Sequence, residues 1–98
     1  MTKKRKLHQL IGTIRHCFLG QVASKSQWKG QNFYYLEINS ESLFTKKTTE
    51  VIYAFPNLVS QEIWATLEQQ NFTDKKYSFW CEKRTRGWRL KEWEEIIN

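Results

Sequence analysis

Two stretches of this 98-residue chain mix cations with aromatic rings and a glycine. The first is SKSQWKGQ, residues 24–31, which supplies Lys25, Trp28 and Lys29. The second is KRTRGWRLKEW, residues 83–93, which places Lys83, Arg84 and Arg86 ahead of Gly87. Lys and Arg neutralise phosphate oxygens and release condensed counterions, so binding built on them weakens as salt rises. Aromatic faces stack on unpaired planar rings at about 1–3 kcal/mol each, with little regard to which ring it is. Further rings alternate along strand-like runs: Phe33 and Tyr35 in NFYYLEINSE, Tyr53 in TEVIYAFPN and Trp80 in KKYSFWCEK. Each has a structural reading beside the stacking one. Trp28 can pin its own loop, and Phe33 and Tyr35 can cover an interface between copies. Tyr53 fits a core position, Trp80 an oligomer contact, and Arg84 and Arg86 solvated turn positions.

Other chemistry has less to work with. There is no phosphate-cradling glycine loop. His8 and His16 lack a nucleophile or orienting carboxylate in a motif, and Glu92, Glu94 and Glu95 crowd beside Lys91 like a solvated terminus. The chain is therefore expected not to be an enzyme. Cys17 and Cys81 are far apart without a CxxC pattern, and His16 beside Cys17 offers two ligands, short of a zinc set. Buried thiols, with no metal and no cofactor, are the expectation. Two thiols do not make a secreted disulfide scaffold. MTKKRK is not followed by the apolar core and small-residue site of a secretory signal, and no apolar run is long enough to span a membrane. An intracellular, cytoplasmic location is expected.

The formal charge is +6, unevenly spread. Residues 1–49 hold nine Lys/Arg against two Glu, residues 50–72 hold three Glu and no cation, and residues 73–98 hold seven cations against five acids. The basic character flanks an acidic centre, a footprint suited to a polyanion. Aromatics make up 15% of the chain, and five Trp in so short a sequence cannot all be fully buried.

These residues need positioning, and the hydrophobic period says how. Residues 1–6 read as a basic flexible arm and 7–98 as one domain. LHQLIGTIRHCFLGQV reads as a long strand, with Gly12 and Gly20 marking a bulge or bend. NFYYLEINSE puts Tyr34, Leu36 and Ile38 on one face, the core, and Phe33, Tyr35 and Glu37 on the other. TEVIYAFPN is a third strand ended by Pro56. SQEIWATLEQQNF switches to helical spacing for about three turns, with Ser60 as N-cap, Glu62 in the first turn, Trp64 on the apolar stripe and Asn71 as a left-handed stop. KKYSFWCEK alternates Tyr77, Phe79 and Cys81 against Lys76, Ser78, Trp80 and Glu82. WRLKEW sets Trp88, Leu90 and Glu92 against Arg89, Lys91 and Trp93. The order is β-β-β-α-β-β. One helix cannot cover both faces of an open sheet at this size, so a sheet closed on itself is expected, an all-β barrel with one helix.

This element order, with IGTI, GQNFYYLEI, VIYAFPN and KKYSFWCEK at its strands, resembles the five-stranded Greek-key barrel of the OB-fold over roughly residues 8–95. Within that fold the chain looks most like the short single-domain type of single-stranded DNA-binding protein, the PriB-like type included. The resemblance implies binding across strands two and three and the loops joining strands one to two and four to five. The site would then comprise Lys25, Trp28, Lys29, Phe33, Tyr35, Tyr53, Trp80, Lys83, Arg84 and Arg86. It implies single-stranded DNA as partner, bound with weak sequence preference, and a homodimer or higher homo-oligomer that lengthens a short track. An RNA-binding module of ribosome- or tRNA-associated type, or a protein-interaction module, is the alternative. The ending EWEEIIN lacks the long acidic-tipped tail of housekeeping single-strand binders, which points to a plasmid, phage, mobile-element or organelle type.

Overall fold

A computed structural model describes residues 7–22, 30–40, 48–85 and 87–97. Five strands, β1 (His8–Gln21), β2 (Asn32–Ser40), β3 (Thr48–Ala54), β4 (Lys76–Arg84) and β5 (Gly87–Ile96), form a closed barrel in the order β1-β2-β3-β5-β4. One helix, α1 (Gln61–Glu68), lies between β3 and β4 in the chain. The expected all-β, OB-like barrel is thus the observed one. The basic arm of residues 1–6 lies outside the described residues.

β1 makes closure possible because it belongs to both sides of the barrel. His8–Thr13 pair antiparallel with β4, and Gly12–Gln21 pair antiparallel with β2. At Gly12 the strand has neighbours on both edges, Ser40 on one and Tyr77 on the other. A Cβ there would run into the Asn39 carbonyl oxygen, with the Asn39 carbonyl carbon at 2.8 Å and Ser40 Cα at 3.1 Å. Only glycine lets the backbones approach this closely. The bulge itself is not at either glycine. It falls between Ile14 and His16, which makes Arg15 the extra residue. β3 and β5 complete the ring through a short parallel ladder, Ile52 to Trp88 and Tyr53 to Arg89.

The core follows the alternation. Leu36 and Ile38 of β2, Ile52 and Ala54 of β3, Tyr77, Phe79 and Cys81 of β4 and Leu90 of β5 are buried inside the barrel. Ile63 and Leu67, one helical turn apart, close it from α1, and Trp64 is half-buried against Tyr34 with ring centroids 4.8 Å apart. A helix of eight residues has no independent stability, so this packing holds it. Ser60 caps it, its Oγ accepting from the Ile63 amide at 3.2 Å. The helix is one turn shorter than its sequence suggests, and its left-handed stop is Gln70 (φ 54°), not Asn71. The Gln70 amide donates to the Leu67 carbonyl and the Asn71 amide to the Thr66 carbonyl, the paired closure of a Schellman motif.

β5 departs from plain alternation. Its pairing with β4 shifts between Trp80–Glu92 and Cys81–Leu90, so Lys91 is an extra residue. Beyond it the faces swap. Trp93, expected opposite Leu90, turns inward and stacks on Tyr77 at 4.4 Å, while Glu92 is exposed. A bulge rotates every later side chain to the other face. On the far side of β4, Ser78 and Glu82 are buried rather than solvated. Ser78 accepts from Gln9 Nε2 at 2.6 Å. Glu82 Oε1 accepts from Arg89 Nε and Nη2 at 3.2 and 2.8 Å, with Lys91 Nζ at 3.7 Å. A carboxylate out of water requires this kind of pairing.

Candidate functional site

The outer face of β1, β2 and β3 carries a continuous row of rings. Phe18, Tyr35 and Tyr53 stand directly opposite one another on the three strands. Ring centroids are 6.1 Å apart for Phe18–Tyr35 and 5.5 Å for Tyr35–Tyr53. The row continues from Tyr53 to Phe33 at 5.8 Å and from Phe33 to Phe55 at 5.5 Å. At its other end His16 stacks on Phe18 at 5.7 Å. Such spacings are those of tilted aromatic pairs, which hold one another in place. Phe18 is 54% exposed, and Tyr35, Tyr53, Phe33 and Phe55 are half-buried.

Local backbone chemistry explains the row. The bulge at Arg15 breaks the parity of β1, so Ile14 packs on the core while His16 and Phe18 face out. Gly20 pairs with Phe33, and a Cβ there would lie 2.9 Å from Phe33 Cζ. Glycine at this position lets the Phe33 ring lie across β1. Past β3, the Leu58 and Val59 amides donate to the Phe55 carbonyl in the turn at Pro56. Gln31 Nε2 donates to Asn57 Oδ1 at 2.9 Å and ties that turn to the start of β2.

Charge lies beside the row as well as at the barrel tip. Arg89 pairs with Tyr53 across β3 and β5, its guanidinium held by Glu82. At the β4–β5 tip Lys83 and Arg84 are exposed, and Lys83 Nζ sits 4.5 Å above the Trp88 ring. The Trp88 indole in turn donates to Glu50 Oε2 at 3.2 Å and lies 5.2 Å from the His8 ring. Trp88 is therefore wall and Lys83 is partly engaged with it, which leaves Arg84 as the more available cation. Gly87 opens β5 with φ 140°, close against the Val51 carbonyl.

The expected residues divide into three groups. Phe33, Tyr35 and Tyr53 are brought together, and Tyr53 is in the row rather than in the core. Trp80 is set apart, because β4 pairs with β1 and β5 and not with β2 or β3. Lys25, Trp28, Lys29 and Arg86 lie outside the described residues; on either side of the first three, the Val22 amide donates to the Gln31 carbonyl. Phe18, Phe55 and His16 join the row without having been expected. A period-two reading hides Phe18 behind the bulge, whereas Phe55, two residues after Tyr53, carried a usable signal.

Elsewhere, a cleft of about 580 Å³ opens between α1 and the β4–β5 side, with Glu62, Thr66, Lys75, Lys91 and Glu95 around Trp93. It holds none of the expected residues. Burial pushes the Cys81 thiol up to about 12 and the half-buried Cys17 thiol up to about 11. Among the described residues no three His, Cys, Asp or Glu side chains are grouped to hold a metal ion, and no helix is long and apolar enough to cross a membrane. Comparison with protein families, curated proteins and solved structures returns no match for this chain.

Proposed function

We propose that this protein binds single-stranded DNA across the outer face of β1, β2 and β3. Bases stack on Phe18, Tyr35, Tyr53, Phe33 and Phe55, and phosphates pass Arg84, Lys83 and the further cations of the two connecting segments. The observation that carries the reading is the unbroken row of rings at 5.5–6.1 Å. Of its five carbocyclic rings Phe18 is exposed and the other four are half-buried, and none belongs to the hydrophobic core. Its spacing suits the stacking platform that strands without secondary structure require, and Arg89 stands beside Tyr53 at its edge. The role that follows is coating or handing over exposed strands in replication, recombination or transfer, without catalysis.

The test is fluorescence anisotropy of a labelled oligo(dT) against wild type and Tyr35→Ala at two salt concentrations. Tyr35 is central, so its loss splits the row; affinity should fall by about 1–3 kcal/mol, roughly 5- to 150-fold. Binding to wild type should weaken with salt, and duplex DNA should compete poorly. A matched RNA competitor sets the sugar preference. No binding at low salt, or equal binding by a folded Tyr35→Ala variant, would overturn the proposal and leave the row as a protein-interaction surface.

A further inference from the structure

One side chain on the ring-bearing face does not suit a polyanion. Glu37 follows Tyr35 by two residues on β2, pointing to the same side. Its cross-strand neighbours are His16 on β1 and Val51 on β3. Among the described residues no Lys or Arg pairs with it. Its nearest charged or chargeable partner is His16, with Nε2 4.0 Å from Oε2, and the Glu37 side chain is 30% exposed. It is the sole acid at the outward positions of β1, β2 and β3 among the described residues. A carboxylate here repels any phosphate that approaches, so it must meet another part of the ligand or weaken binding outright.

We infer that Glu37 reads base identity on this face and selects guanine. The inference rests on the strand-binding proposal above. An ionised carboxylate only accepts hydrogen bonds. Single-stranded recognition exposes the Watson–Crick edges of stacked bases to side chains beside them. Guanine alone presents two adjacent donors on that edge, N1–H and the N2 amino group, which match the two oxygens of a carboxylate. Cytosine and adenine offer one donor beside a ring-nitrogen acceptor. Thymine and uracil offer one N–H between two carbonyl oxygens, both of which repel an acceptor.

The distances agree. Positions i and i+2 of a strand are about 6.6–6.8 Å apart. The Watson–Crick edge of a purine lies about 3–4 Å from its centre, and a hydrogen bond adds about 2.9 Å. A guanine centred over Tyr35 therefore brings its edge to Glu37 without strand distortion. His16, stacked on Phe18 and 4.0 Å from Oε2, limits the sweep of the carboxylate.

The test compares labelled dT12 with the same strand carrying one central dG or one central inosine, which lacks the N2 amino group. Wild type should bind the dG strand about tenfold tighter than dT12, as one good bidentate pair provides. The inosine strand should fall in between. Glu37→Gln should remove the preference, so that it binds the dG strand no tighter than dT12. Equal binding of dG and dT12 strands by wild type, or a preference that survives in Glu37→Gln, overturns the inference while strand binding itself stands. Failure of all three strands to bind wild type at low salt overturns both. The inosine arm uses unaltered protein, so a folding defect in the variant cannot produce the result.

Discussion

Gly12→Ala is the substitution to which this barrel should be most sensitive for its size. The new methyl would meet the Asn39 carbonyl oxygen, the Asn39 carbonyl carbon at 2.8 Å and Ser40 Cα at 3.1 Å. All are backbone atoms, so no rotamer change relieves them. β1 cannot retreat either, because Gly12 and Thr13 are also paired with Tyr77 and Lys76 of β4. Overpacking of this kind costs about 1–3 kcal/mol, and the pinned backbone puts it at the upper end. Alanine restricts the unfolded chain and returns about 0.4–1 kcal/mol. The net loss is about 2 kcal/mol, which in a domain of this length lowers Tm by about 8–16 °C. Melting of both proteins followed by circular dichroism, at one concentration, measures it. A Gly12→Ala variant melting within about 3 °C of wild type would refute the double-sided pairing at this position.

Gly20→Ala should separate function from stability. Its methyl meets only the tip of the Phe33 ring, at 2.9 Å, and a ring tip can move. Stability should change by less than about 1 kcal/mol, while the displaced ring weakens oligonucleotide affinity severalfold in the same anisotropy assay. Glu82→Gln leaves Arg89 and Lys91 without their shared carboxylate. The expected loss is about 2–3 kcal/mol in urea unfolding with an unchanged m value, at the lower end for buried pairs because the Arg89 side chain keeps 22% of its exposure. Stability should also fall in alkali. Burial holds Cys17 at about 11 and Cys81 at about 12 against an ordinary 9.0, and raises Tyr34 and Tyr77 above 10.0. The unfolded chain then sheds protons that the native state keeps, so stability is full below pH 9 and declines as pH rises toward 11. Tm measured from pH 7 to 10.5 that stays flat above pH 9 would contradict the buried thiols.

Much of this architecture was legible because its strands alternate cleanly. Leu36 and Ile38 are fully buried and Phe33 and Tyr35 face out, as their parity on β2 requires. Ser60 announced α1 through its type and position alone. The failures have one physical origin. A bulge adds a residue without any compositional mark, and all later parities reverse. Arg15 hid Phe18 in this way, and Lys91 misassigned Glu92 and Trp93. Trp80 was grouped with Phe33 and Tyr35 because alternation along β4 says nothing about which strands flank it. The place of β5 between β3 and β4 comes from closure, a property of the whole chain. The burial of Glu82 likewise carries no local mark, because its partners Arg89 and Lys91 lie on another strand.

The double membership of β1 also sets the order in which the molecule can assemble. β1, β2 and β3 form a meander of neighbours in sequence, whereas His8–Thr13 pair with Lys76–Cys81, near the opposite end of the chain. Pairings so distant in sequence repay their loop entropy late, which places this barrel among slow folders, on a millisecond-to-second scale. Until then the half of β1 that carries Leu10 and Ile11 is an open edge, a template for a strand of another molecule. Refolding yield should therefore depend on protein concentration, and the interval before β4 docks is when the chain is most exposed to aggregation.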